Sequence, residues 1–249
     1  MHKMAENIRE KSDEMMRILD MTDHPVGVCL VKRKELPDHL GRLQSHRFCQ
    51  ALMQAREGKD VVLEGDQLVC PAAAAAFGFR PLPENLKNGK GLEGYGIVSR
   101  AEVGRKMFEQ MPRIPAGHLD LLHLFPLQQA QCIPDVVIIE DEIEKLMWIS
   151  LAAVHARGGA RIESSTAVLQ ATCVDCTIIP FLERKINLSY GCYGCREATN
   201  LKACEAALGF PIELLPGIVD HLSHLNKKAI PISREKRPFR NLQKEQMVD

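Results

Sequence analysis

The stretch "IPDVVIIEDEIEKLMWISLAAVHARGG", residues 133–159, constrains the fold of this chain more than any other. Four consecutive apolar residues, Val136–Ile139, form a run too short for a helix and rich in β-branched side chains, which predicts a buried strand. From Glu142 to Ala156 the apolar residues recur at helical spacing, and Gly158-Gly159 closes the helix. A buried strand passing directly into a helix requires a sheet with at least one helical layer over it.

The flanking text repeats this alternation. "HPVGVCLVKR" (His24–Arg33) reads as a buried strand, and "SHRFCQALMQAREGK" as a helix with Ser45 as cap and Gly58 as stop. "DVVLEG" is a short strand. "CPAAAAAFGF" begins a helix with Pro71 at its first position and leaves it at Gly78. The Pro/Gly-rich run Arg80–Gly96 reads as a loop, and "SRAEVGRKMFEQM" as a helix capped by Ser99. "STAVLQATCVDCTIIPFLERK" is helical up to Pro180 or interrupted near it, "INLSYGC" is a strand entering a glycine turn, and "PIELLPGIVDHLSHLNKK" is a closing helix. The start carries Met4, Ile8, Met15, Ile18 and Leu19 at roughly helical spacing. Strands interleaved with helices predict one mixed α/β or α+β domain over residues 1–226, followed by a basic, partly ordered tail over 227–249.

Composition excludes some functions. Lys plus Arg and Asp plus Glu number 32 each, which is no electrostatic footprint for nucleic acid. No apolar run approaches the ~20 residues of a membrane span. The N-terminal segment lacks the basic, apolar, small-residue order of a secretory signal. The expectation is a cytoplasmic protein, partnered by a small-molecule substrate or an electron-transfer protein, with no nucleic acid and no membrane; its oligomeric state is open.

The nine cysteines then become the chemical question. Thiols in a reducing compartment stay unpaired, so metal binding, redox chemistry or burial must account for them. Cys173, Cys176, Cys192 and Cys195 form two Cys-x-x-Cys pairs separated by fifteen residues, a spacing that suits a four-thiolate zinc clip. "YGCYGCR" has the glycines of a zinc knuckle, whereas "TAVLQATCVDCTIIPFL" is apolar and helix-like. "NLSYGCYGCREATN" also has the order strand, turn, cysteine pair and helix of a thiol oxidoreductase. Cys70, just before Pro71, would face the free N–H groups of a helix start; packing as a small apolar residue is the plainer alternative. Cys49 shares a helix face with His46 and Met53, and core burial is again the alternative. Cys29, Cys132 and Cys204 read as core residues. His118, His123, His221 and His224 read as surface or packed histidines. Neither a phosphate-binding glycine loop nor a nucleophile elbow is present.

Three phrases, "FCQALMQAREGKDVVLEGDQLVCPAAAAAFGF", "FPLQQAQCIPDVVIIEDEIEKLMWI" and "ATCVDCTIIPFLERKINLSYGCYGCR", together resemble domain-of-unknown-function family number 169. The resemblance runs from about His24 to the helix near Val219, and the family brings no established reaction. It carries over Cys49, Cys70, Cys192 and Arg196, with Cys173 as the fourth cysteine. That last match needs a one-residue gap, which leaves Cys176 as the alternative. The family pattern does not require a cysteine at the position of Cys195. The resemblance therefore implies four thiolates drawn from separate segments, as a [4Fe–4S] cluster takes them. Zinc on the two Cys-x-x-Cys pairs, or a metal-free dithiol, remain the other readings. Arg196 would donate hydrogen bonds to sulfur or hold an anionic substrate, or else form a surface ion pair.

Overall fold

The computed structural model describes residues 2–32 and 40–235. Its centre is one sheet of β1 (Val26–Val31), β2 (Gly41–Arg42), β3 (Val61–Glu64), β4 (Leu121–Pro126), β5 (Val136–Glu142), β6 (Asn187–Ser189) and β7 (Glu205–Pro211). The spatial order is β2-β3-β4-β1-β5-β7-β6. β2 and β3 are parallel, and the other neighbours are antiparallel.

The helices are α1 (His2–Leu19), α2 (Phe48–Arg56), α3 (Pro71–Ala76), α4 (Glu84–Lys87), α5 (Lys90–Gly94), α6 (Ala101–Glu109), α7 (Ile143–Ala156), α8 (Ile179–Glu183), α9 (Tyr193–Ala198), α10 (Leu215–Asn226) and α11 (Ala229–Arg234). A π-helix, Ala171–Ile178, runs directly into α8. All pack about the one sheet, giving a single α/β domain with a helical layer on each face.

The alternation of strand side chains builds two cores. On one face Val26, Val28, Leu63, Leu122, Leu124, Val136 and Ile138 meet α2, α3 and the π-helix. On the other, Val31, Val62, Phe125, Val137, Ile139, Leu208 and Phe210 meet α1, α7 and α10. Burying an aliphatic side chain contributes roughly 1.5–3 kcal/mol, so each layer is held by many such contacts. Ile8, Met15, Ile18 and Leu19 anchor α1 as their spacing predicts, while Met4 lies exposed.

Several expectations are corrected here. Arg80–Gly96, expected as a loop, carries α4 and α5, whose Leu86 and Leu92 are buried in the first core. Ser45 does not cap α2. Arg47 does, and Gln50 accepts the Arg47 backbone N–H at 3.0 Å. Arg100 rather than Ser99 stands at the cap of α6. The segment read as a basic, partly ordered tail from residue 227 is ordered where it is described, to 235: Ile230 is buried, and Arg234 pairs with Asp20 at 2.6 Å. The remainder, 236–249, lies outside the described residues.

β4 and β7 were not foreseen. "LLHLFP" interrupts its apolar run with a histidine and ends on proline. "EAALGFP" lacks β-branched residues because its inner face is pressed against the π-helix. At Gly209 an added Cβ would stand 1.9 Å from the carbonyl oxygen of Cys176 and 2.7 Å from its Cα. Only a residue without a side chain permits that approach.

Candidate metal centre

Five cysteines from four segments converge on one cavity of about 460 Å3 on the first face of the sheet: Cys49, Cys70, Cys173, Cys192 and Cys195. Each is positioned by its local backbone. Cys49 sits in the first turn of α2. That helix is fixed at its far end by Arg56, a buried guanidinium that binds Asp23 and Glu205 at 2.6 Å each. Cys70 is the N-cap of α3, with Pro71 supplying the preset φ of the first helical position. The alanines of α3 are buried and bring its backbone close to the π-helix.

Cys173 lies on the π-helix, which is introduced by Gln170 in the left-handed region at φ 57°. Wide turns of this kind are rare and concentrate at functional sites. Cys192 caps α9, and its sulfur accepts the Cys195 backbone N–H at 3.3 Å. The chain reaches that cap through Gly191 at φ 83°, where a Cβ would touch the Leu201 and Arg196 side chains.

The walls are apolar: Phe48, Ala72, Ala73, Leu86, Leu92 and Phe108. Cys49, Cys173, Cys192 and Cys195 are buried and Cys70 is half-buried. At the rim Arg47 bridges the segments, donating to Glu197 at 2.7 Å and to the Gly194 carbonyl at 3.2 Å. Tyr95 and Tyr193 are exposed at the mouth.

Burial and neighbouring sulfurs hold Cys173, Cys192 and Cys195 protonated. Burial, then the neighbouring Cys70, Cys195 and Cys192, push the Cys173 thiol well above its ordinary value. Contact with Cys195, reinforced by burial, raises Cys192. Cys195 is drawn down by Cys192, but contact with Cys49 and burial outweigh this and leave it at about 12. Thiols in this condition are poor nucleophiles. A soft cation would reverse the balance, because a coordinating thiol gives up its proton to the metal.

The predicted residues divide cleanly. Cys49, Cys70, Cys173, Cys192 and Cys195 meet, whereas Cys176 is fully buried in the sheet-facing core and is not among the residues lining the cavity. In a π-helix, with i→i+5 bonding, residues three apart no longer stack on one face as they nearly do in an α-helix. Arg196 does not line the cavity either. Its guanidinium binds backbone carbonyls of Tyr190, Lys202 and Glu205 at 2.5, 3.0 and 3.0 Å, tying α9 to the start of β7. Cys204, expected in the core, is exposed. All nine cysteines are unpaired thiols.

Arg47 was missed by sequence reasoning, although its place directly before "FC" was the available signal. Cys29, His123 and Cys132 were also missed as a group. Their side-chain ligand atoms lie within 4.8 Å of one another, and only the pairing of β1 with β4 reveals that meeting.

A family model described as uncharacterised ArCR, domain-of-unknown-function family number 169, matches residues 14–221. No curated protein and no solved structure matches the chain.

Proposed function

The chain belongs to the uncharacterised ArCR family, and we propose from its own residues that it is an iron–sulfur protein. Cys49, Cys70, Cys173 and Cys192 would hold a [4Fe–4S] cluster, with Cys195 beside Cys192. The observation that carries this reading is the convergence of thiols from four separate segments on one apolar cavity. A cluster supplies one-electron chemistry at a potential tuned by burial and by hydrogen bonds to its sulfurs. The apolar walls would set that burial. The Cys195 N–H, already aimed at Cys192 sulfur, is one such hydrogen bond. The open mouth beside Arg47 and Tyr193 would admit an electron-transfer partner or a small molecule.

The spacing favours a multinuclear group over one zinc ion. Two thiolates on a single zinc, each at about 2.3 Å, stand no more than about 4.6 Å apart. Among the described residues no three of the cavity sulfurs lie that close together. A zinc clip would also need Cys176, which is turned into the core. The thiol-oxidoreductase reading has one observation in its favour, the 3.1 Å between Cys192 and Cys195 sulfurs. Against it stand the raised thiols, since that chemistry needs a thiolate near neutral pH. Nine unpaired thiols accord with a reducing compartment such as the cytoplasm. Among the described residues no helix is long and apolar enough to cross a membrane.

The test is iron, zinc and acid-labile sulfide content of protein purified without oxygen. Iron and sulfide near ~4 per chain with broad visible absorption are expected, lost in Cys70→Ser and Cys192→Ser and kept in Cys176→Ser. Iron-free protein whose zinc is lost on Cys176→Ser and kept on Cys70→Ser would replace the cluster with the clip.

A further inference from the structure

The second meeting of ligand atoms lies on the other face of the sheet, away from the cavity, and does not depend on the cluster. Cys29 on β1 and His123 on β4 are direct partners in the antiparallel register. They share the face that carries Val31, Val62 and Phe125, and the His123 ring packs 4.8 Å from that of Phe125. The loop leading into β5 returns Cys132 over this pair. Its sulfur stands 3.5 Å from that of Cys29.

The histidine is prepared in a specific way. Its Nε2 meets Asp60 Oδ1 at 2.6 Å. Its Nδ1 is buried and has no hydrogen-bond partner, although the ring is only 5% exposed. A neutral imidazole that donates from Nε2 to a carboxylate presents a bare lone pair on Nδ1. Histidines that ligate metals are held in this manner, their second nitrogen donating to a carboxylate. With Nε2 committed to Asp60, Nδ1 is the ring atom left for the two sulfurs.

We propose that Cys29, His123 and Cys132 form a mononuclear zinc site, oriented by Asp60, with its fourth position open to water or a small ligand. The distances agree with this assignment. Sulfurs at about 2.3 Å from a tetrahedral zinc stand roughly 3.8 Å apart, close to the separation between Cys29 and Cys132. Two thiolates, a neutral imidazole and a divalent ion sum to zero charge, which suits a site against Phe125. Three protein ligands of the Cys2His type are the set found where zinc keeps a position free for chemistry. Asp135 does not complete the set: its carboxylate accepts the Leu30 backbone N–H at 2.8 Å, and it lies outside the group of mutually close ligand atoms. Cys132 is half-buried, so an ion held there is reachable from outside.

The test uses the full chain carrying Cys70→Ser, so that cluster absorption does not intrude, with all thiols reduced and bound metal removed. Cobalt(II) alone is titrated in and then displaced by zinc. One cobalt per chain is expected, with a thiolate-to-cobalt charge-transfer band that disappears as one equivalent of zinc is added. Cys132→Ser, in a loop where circular dichroism can verify folding, should abolish the band. Asp60→Asn should retain it with roughly 10–100-fold weaker affinity, the usual effect of losing an outer carboxylate partner. No band in the parent protein, or a titration unchanged by Cys132→Ser, overturns the site. Neither result bears on the cavity thiols, whose test is iron and sulfide in the unmutated chain.

Discussion

Replacing Gly209 by alanine tests how the sheet and the thiol cavity depend on each other. The new methyl carbon would sit 1.9 Å from the Cys176 carbonyl oxygen. Carbon–oxygen contacts between packed backbones settle near 3.3–3.6 Å, so the two segments must separate by about 1.4 Å. β7 is poorly placed to give way, because Gly209 is held between Ile138 on β5 and Asn187 on β6. The π-helix must move instead, although Asn187 Nδ2 binds the Asp175 carbonyl at 2.8 Å and resists that movement. Overpacking costs typically 1–3 kcal/mol. Obstruction by backbone on both sides places this case near the top, at about 3 kcal/mol. For a chain of this size that lowers Tm by roughly 6–12 °C. Because Cys173 rides on the same helix, cluster occupancy should fall with it. Thermal unfolding followed by circular dichroism, with iron measured on the same samples, reads both effects. Gly94→Ala, where a Cβ meets nothing within 4 Å, should leave Tm near that of the parent and serves as the control. A Gly209→Ala protein that melts within about 2 °C of the parent and keeps its metal would refute the coupling.

Two further outcomes follow from the buried charges behind α2. Burial, opposed by Arg56 and reinforced by Glu205, raises the Glu140 carboxyl from 4.5 to about 7. Between those values the folded protein binds a proton that the unfolded chain releases, so stability from this group is present below about 4.5 and lost as pH rises through about 7. Glu140→Gln mimics the protonated form. Urea unfolding should therefore find it more stable than the parent at pH 8, with the gain fading by pH 5; a gain of equal size at both values would show that the charge is not its cause. Arg56→Met removes the guanidinium that pairs with Asp23, Glu205 and Glu140 and should cost about 3–5 kcal/mol, the usual result of orphaning buried carboxylates. Urea unfolding showing a loss below about 1 kcal/mol would mean that water already screens the cluster.

Some of this architecture is written locally. β5 and α7 could be read directly, because their apolar residues obey one period and then another, and period is a property of neighbouring residues. The same holds for Cys70 before a proline and Cys192 after Gly191: a cap is made within a few residues, so its signal lies in a few residues. β7 was hidden, since its alanines and glycine reflect the closeness of the π-helix rather than any strand preference. The π-helix could not be read either. Its wider turn separates Cys173, at the cavity, from Cys176, in the core, although the two look equivalent as a Cys-x-x-Cys pair. Cys29 and His123 show this limit most clearly. Each looks like an ordinary packed residue in its own segment, and only the register of β1 on β4 places them side by side. Short-range preferences thus determined elements such as β5 and α7 and the helix starts at Cys70 and Cys192. Which thiols share a space was decided by long-range packing and strand pairing, because a ligand set depends on distances between segments that no local pattern encodes.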